Sequence, residues 1–312
     1  MMDFNEKIEN LISYIRKNKL AKYLENINLK IFNTYHVNAK ARLVVFPKDI
    51  PSLKKIIKVI KDSHLKYFTL GNGSNVIFNF TFYDGVIIKL DKLDKLEIDN
   101  TLVTVGASYM LPKLSYQMAK KGLSGLEFAY GIPGLIGASV AMNAGAYKKD
   151  MSSIVRKVKV LTPELEIKTL FNNNLQFAYR DSFFKHNKGY IILEVTLKLV
   201  KKNEMEILNL MKERKLKRIE TQPLNYPSAG SVFRNPDNGY AGSLIEQSNL
   251  KGYHINGATV STKHANFIVN KGSCSGEDIV KLINHIKKTI KDNYNIDLIL
   301  EQIIINGDYS EL

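Results

Sequence analysis

Twenty consecutive residues, 128–147 (FAYGIPGLIGASVAMNAGAY), carry no charge, a length sufficient to cross a bilayer. Pro133, Asn143 and four glycines interrupt the run, and backbone facing lipid does not tolerate such breaks in its hydrogen bonding. The segment therefore reads as turns packed beside a ligand. Gly131, Gly134 and Gly137 fall at every third position around the rigid Pro133, which lets the backbone approach something flat or extended. A tightly packed helix entry is the competing reading. A second glycine-rich loop in the same half of the chain, Gly71-Asn72-Gly73-Ser74-Asn75, favours the ligand. It follows a predicted strand, 67–70, directly. Its glycines admit close backbone approach, and its successive N–H groups, with Ser74 and Asn75, suit phosphate oxygens. The third glycine of the dinucleotide fingerprint is missing, so this loop taken alone also fits a plain turn.

The 312 residues suffice for two domains. Helical spacing puts Ile8, Leu11, Ile12 and Ile15 on one face within the first twenty-five residues. Pro51 opens a second helix with Leu53, Ile56, Ile57 and Ile60 repeating. Strands are read at 43–47, 85–90, 95–98, 102–105, 155–161, 166–169 and 190–200, with a helix over 112–121 that stops at Gly122. A charged helix, 204–218, acts as a connector, after which composition shifts toward glycine- and asparagine-rich loops. The division is accordingly 1–202 and 203–312. Ser275 and Asp278 form a capping box ahead of Ile279, Leu282, Ile283, Ile286 and Ile290. A last strand, 298–305, closes the fold. Strands and helices mix without regular alternation, which favours an α+β fold.

The formal net charge of +15 suits an anionic ligand. The lysines are nevertheless scattered over polar helix faces (Lys54, Lys55, Lys58, Lys61) and form no basic arm. Nucleic-acid binding thus stands as a remote alternative, and no nucleic-acid or membrane partner is expected. Cys274 is the only cysteine, which excludes a disulfide framework and a cysteine-based zinc site. No metal ligand set is assigned. The amphipathic, charged N-terminus is no secretory signal. A cytoplasmic monomer is expected.

Three segments carry candidate chemistry. Residues 227–236 (PSAGSVFRNP) form a proline-bracketed loop holding Ser231, Arg234 and Asn235. The G-x-S-x-G elbow is absent and no histidine stands beside it in a motif-like position, so the residues alone say only "polar ligand loop". The run STKHANF (261–267), with His264, suggests another wall of the same pocket, although a lone histidine is more often structural. Tyr179-Arg180-Asp181-Ser182 is either a surface turn or a fork for a carboxylate. Glu301 sits in an apolar strand pattern with Ile299, Ile303 and Ile305. A carboxylate buried there is costly unless paired, and its pKa should rise. A structural salt bridge is the alternative.

Taken in order, the blocks LGNGSN, GLEFAYGIPGLIGASVAMNAGAY, YRDSFFK, QPLNYPSAGSVFRNP, AGSLIEQSNLKGYHINGATVSTKHANFIVN and LEQIIING resemble the UDP-N-acetylenolpyruvoylglucosamine reductase family over about residues 30–307. The stretch between Arg180 and Ser231 resembles the compact class, without a tyrosine-bearing insertion. The resemblance implies an FAD-binding fold of the vanillyl-alcohol-oxidase type in two subdomains, plus a C-terminal α+β substrate domain. It implies NADPH-dependent reduction of the enolpyruvyl ether of a UDP-sugar, giving UDP-N-acetylmuramate for peptidoglycan, with NADPH and substrate occupying one site in turn. A different FAD enzyme of the same fold, acting on a small alcohol or sugar, is the nearest rival. By the resemblance, FAD is held by Gly71, Asn72, Gly73, Ser74, Asn75, Gly131, Ile132, Pro133, Gly134, Gly137, Ala138, Asn143 and Gly145. Substrate is held by Arg180, Arg234, Asn235, Lys251 and His264. In the implied chemistry, hydride adds to the terminal CH2 of the enolpyruvyl group, Arg180 and Glu301 stabilise charge developing at C2, and Ser231 protonates C2. Asn38-Ala39 replace the family's usual Gly-Gly, which is expected to alter flavin contact because alanine adopts left-handed backbone poorly. Ala138 replaces a glycine. Gln302 replaces a valine and adds a polar group that needs a partner.

Overall fold

A computed structural model describes residues 3–237 and 239–311. Helix Phe4–Lys17 is capped by Asp3 and buries Ile8, Leu11, Ile12 and Ile15. The helical pattern read over twenty-five residues ends at Lys17: Lys19 turns left-handed (φ 50°) and Ala21–Asn28 is a strand. Tertiary pairing overrides the local pattern here, because this strand runs antiparallel to Lys40–Pro47 along its whole length. Phe82–Ile88 and Tyr67–Thr69 continue the sheet in parallel. Alternate residues sort to its two faces. Leu43, Val45, Tyr67, Val86 and Ile88 meet the helices Phe4–Lys17 and Ile50–Asp62, while Val44, Phe68 and Ile87 enter a second core on the far side. Burial on both faces explains why LVVFP reads as one continuous apolar run.

The second sheet is antiparallel, in the order Ile167–Phe171, Val155–Leu161, Ile191–Lys198, Leu102–Gly106, Leu96–Asp99. Helices Leu111–Ala119 and Ile136–Ala141 share its core with Val105, Val158, Val160 and Val195. The strand expected over 190–200 breaks at Leu199, beyond which Val200–Lys201 pairs with Leu123–Ser124. The uncharged stretch 128–147 holds the six-residue helix Ile136–Ala141 and the two-residue strand Gly145–Ala146, which pairs with Lys149–Asp150, among irregular segments. Among the described residues, no helix is long and apolar enough to cross a membrane.

Helix Glu204–Thr221 leads into the C-terminal part, a three-stranded sheet (His254–Ile255, Ala258–Val260, Ile268–Asn270) with helix Gly276–Tyr294. The Ser275–Asp278 capping box is present. Ile279, Leu282, Ile283, Ile286 and Ile290 are buried in the same core as Val44, Phe68 and Ile87; each stabilises the fold by at most about 2 kcal/mol. A Cβ on Gly276 would stand 1.8 Å from the Phe78 carbonyl oxygen, so only glycine allows this helix so close. The closing strand is shorter than the expected 298–305. Only Ile303–Asn306 is regular, running parallel to Val76–Asn79. Residues before it belong to a different partner: Leu300 bridges Phe233, and Glu301 N–H bonds Val232 O at 2.8 Å. The switch inverts the expected burial, leaving Ile299 61% exposed and Gln302 3% exposed.

Candidate active site

The two glycine-rich loops meet at the carboxyl end of the first sheet. Asn72 Nδ2 donates to Pro133 O at 3.2 Å, and the missing Cβ of Gly71 faces the Ala138 methyl at 3.3 Å. Gly73 is left-handed (φ +63°) with its missing Cβ 2.0 Å from Phe32 O, which forces glycine there. Gly134 leaves room for Ser139 Oγ, with Ser74 Oγ beyond it. Among the described residues, the backbone N–H groups of residues 71–75 donate to no acceptor. Lys89, buried below, donates from Nζ to Gly71 O at 2.8 Å. Desolvation holds its pKa below the ordinary lysine value.

Several residues expected at the flavin make contacts within the protein. Asn143 is 1% exposed, and its two amide hydrogens go to Asp150 Oδ2 (3.1 Å) and Ala178 O (2.8 Å), so none is left for a ligand. Gly145 accepts from Arg180 Nη2 through its carbonyl, and a Cβ there would stand 2.4 Å from Lys149 O. Asn75 Nδ2 donates to Glu301 O at 3.2 Å. Gly137 packs on Ala107 and gives its N–H to Ala107 O at 2.8 Å, and Gly131 lies under the Arg218 side chain. Ile132 packs partly buried against the core of the second sheet, beside the exposed Pro133. Asn38-Ala39 need no glycine: neither has positive φ, the left-handed residue being His36 at 53°.

Beside this cradle opens a cavity of about 670 Å³ lined by Arg180, Ser231, Glu301, Asn235, His264 and others. Arg180 sits at the tip of a tight turn, left-handed at φ 54°, with Ala178 and Asp181 exchanging backbone hydrogen bonds. Asn143 steadies that turn through Ala178 O. Arg180 Nε donates to Glu301 Oε1 at 3.0 Å, with both side chains below one-fifth exposed. Desolvation raises the Glu301 pKa, against the pull of Arg180, Arg234 and Lys185. Three cations thus surround one carboxylate, and Arg234 Nε is buried without a hydrogen-bond partner among the described residues.

Ser231 reaches the cavity because its flanks are tied down. Val232 N–H bonds Asn266 O at 2.9 Å, and Phe233 and the Asn266 amide exchange bonds of 3.0 and 2.8 Å. Among the described residues no hydrogen bond joins Ser231 to His264, whose Nδ1 instead accepts from Asn266 N–H at 3.3 Å. Burial lowers the His264 pKa. The arrangement supplies a proton donor without a base and is not a nucleophile pair. Asn235 lines the cavity and accepts from Ala241 N–H, whereas Lys251 stands behind it, paired with the lining Glu246. Sequence reasoning missed Tyr240, Ser243 and Glu246, which helix Ala241–Gln247 brings to the wall, and Glu220 and Thr221. The AGSLIEQ block covers part of that wall, but no residue type in it stands out.

The family model of the UDP-N-acetylenolpyruvoylglucosamine reductase C-terminal domain matches residues 222–305, and that of an FAD-binding domain matches residues 41–170. The chain is 45% identical to the UDP-N-acetylenolpyruvoylglucosamine reductase of Anoxybacillus flavithermus over 282 residues, covering 90% of this chain and 93% of that one. It is 41% identical to the Bacillus subtilis reductase over 302 residues, covering 96% and 100%. Among solved structures it is similar to the reductase of Thermus caldophilus, with a TM-score of 0.77 at 30% identity, over 91% of this chain and 98% of that one.

Proposed function

The chain belongs to the UDP-N-acetylenolpyruvoylglucosamine reductase family, and from that premise we propose that Ser231, Arg180 and Glu301 carry its reaction. The enzyme is an FAD-containing oxidoreductase that uses NADPH to reduce the enolpyruvyl ether of the UDP-sugar to UDP-N-acetylmuramate, a step of peptidoglycan synthesis. Residues 1–202 hold the cofactor and 203–312 most of the substrate. We place the reaction in the cytoplasm.

The cradle fits a dinucleotide. Five free backbone N–H groups in a glycine loop, with Lys89 beneath, match the charge and donor demand of a pyrophosphate. Gly71, Asn72, Gly73 and Ser74 would hold it against Gly134 and Ala138. When bound, FAD supplies hydride transfer from NADPH to the terminal carbon of the enolpyruvyl group.

The protein's own residues handle charge and the proton. The substrate carboxylate enters among Arg180, Arg234 and Lys185, where it competes with Glu301 for Arg180. That competition and the negative charge of the substrate carboxylate raise the proton affinity of Glu301 further. A protonated Glu301 then donates a hydrogen bond to the carboxylate as negative charge spreads from C2. Ser231 Oγ gives its proton to C2, and solvent restores it. One hydride and one proton thus saturate the double bond, and NADP+ is the other product. The alkoxide left on Ser231 is accepted because the carbanion is a stronger base.

The observation that carries this reading is the meeting of three distant segments in one cavity, where among the described residues no hydrogen bond joins Ser231 to a base. Ser231→Ala should retain flavin and its reduction by NADPH, and should slow the return of flavin colour with substrate by about 1000-fold. Equal loss of both phases would sink the assignment.

A further inference from the structure

Gln302 is 3% exposed, a polar side chain in the core directly after Glu301. Its amide is fully engaged. Oε1 accepts from the phenol of wholly buried Tyr35 at 3.0 Å, and Nε2 donates to Ala229 O at 3.1 Å and Gly230 O at 3.2 Å. Those carbonyls belong to the two residues before Ser231. Among the described residues, no other group bonds either of them.

Ser231 is thereby held from both sides. Downstream, Asn266 and the Glu301 N–H fix Val232 and Phe233. Upstream, Pro227 O accepts from Asn270 N–H at 2.9 Å, but among the described residues no backbone pairing reaches residues 228–230, and Gly230 is left-handed (φ +77°) with open space where a side chain would be. The planes of the peptides entering Ser231 therefore depend on the Gln302 amide. A tilt of those planes moves Cβ, and with it the origin of the hydroxyl, by more than side-chain rotation can restore. The amide is anchored in turn: the backbone carbonyl of Tyr35 accepts from Asn270 Nδ2 at 2.8 Å, so the main chain that carries the phenol is tied to the strand Ile268–Asn270.

We propose that Gln302 is a positioning residue for the reduction, setting Ser231 Oγ for proton delivery while the adjacent Glu301 faces the substrate. This rests on the assignment of Ser231 as proton donor. The two residues divide the work by direction, one side chain into the cavity and the next into the core, and both backbone and amide grip the same loop.

The test uses flavin-loaded protein in stopped flow, reading bleaching of the flavin band by NADPH and its return with the enolpyruvyl substrate. Gln302→Leu should keep its flavin and its bleaching rate, and should slow the return about 100-fold, the cost of roughly 1 Å of misplacement. The solvent deuterium isotope effect on that phase should rise, because proton delivery becomes limiting. Tyr35→Phe, which removes only the anchor of the amide, should slow it roughly tenfold. A Gln302→Leu protein that returns colour at the wild-type rate, or slows both phases equally, overturns the inference. Ser231→Ala in parallel separates the premises: normal return there defeats the serine assignment and this inference together, whereas a slow Ser231→Ala beside a fast Gln302→Leu defeats this inference alone. If Gln302→Leu sheds its flavin, Tyr35→Phe decides by the same criteria.

Discussion

The proposed flavin cradle and the proposed substrate cavity are joined by side-chain bonds such as Asn75 to the Glu301 carbonyl and Arg180 to the Gly145 carbonyl, yet they are made of different material. The cradle is backbone: glycines, unused N–H groups and turns that bring two loops into contact. The cavity is side chain: Arg180, Ser231 and Glu301 come from three segments, and Arg180 and Glu301 are 121 residues apart. A backbone site is indifferent to side-chain chemistry but intolerant of side-chain volume. A side-chain site tolerates volume and fails on a change of charge or proton inventory. The difference also sets the electrostatics, since partial dipoles line the proposed cofactor site while full charges line the proposed substrate site.

The sharpest way to break the contrast is to add one methyl group to the cradle. At Gly73 a Cβ would meet Phe32 O at 2.0 Å in a backbone that alanine already resists. Gly73→Ala should purify without yellow colour and lose roughly 3 kcal/mol in urea unfolding. In the cavity the corresponding probe changes no volume. Burial raises the Glu301 pKa, so between its unfolded and folded values the native protein holds the extra proton. The stability this confers is full below the unfolded value near 4.3 and is lost as pH rises through the folded one. If Glu301 acts protonated, the substrate-dependent phase should fall about tenfold per pH unit above the folded value. Glu301→Gln should flatten that limb and remove this contribution to the pH dependence of urea stability, with flavin content unchanged.

The same contrast explains what the sequence made legible. Periodic helices such as Ile50–Asp62 and Gly276–Tyr294 were readable because their partners are four residues away. The glycine loops were readable because glycine types mark backbone need. Side-chain commitments were not. Asn143 and Asn75 resemble ligand donors in one dimension, but their acceptors, Ala178 O and Glu301 O, lie 35 and 226 residues away. The closing strand was overextended for the same reason, since the change of partner from Val232 to Asn75 has no local signal. The division between residues that contact a ligand and residues that hold those contacts is tertiary information. For the proposed catalytic trio, the family resemblance supplied what spacing could not.

Lys89 blurs the contrast, being a full charge under the backbone site, with Asp91 3.8 Å from its Nζ. Its Nζ both orients Gly71 and places a cation beneath the loop. Lys89→Met should weaken FAD binding about tenfold, read by fluorescence titration of stripped protein. Because burial already disfavours the charged lysine, the same variant should be no less stable to urea in the absence of FAD. Loss of stability without loss of affinity would make Lys89 a fold residue and leave the cradle purely backbone.

The smallest effect is expected at Asn38-Ala39, where the family resemblance led to the expectation of Gly-Gly. Ala39 is 2% exposed, contributes its carbonyl to Leu29 N–H at 2.7 Å and lacks positive φ. Restoring glycine there removes a buried methyl and frees the unfolded chain, while relieving no strain. Ala39→Gly should therefore cost about 1 kcal/mol and leave FAD affinity unchanged. A gain in stability or affinity would mean that residues 38–39 work against alanine, and that the backbone rule for this site extends beyond residues 71–75. An unchanged affinity places the need for a left-handed residue at His36, where the fold already meets it without glycine.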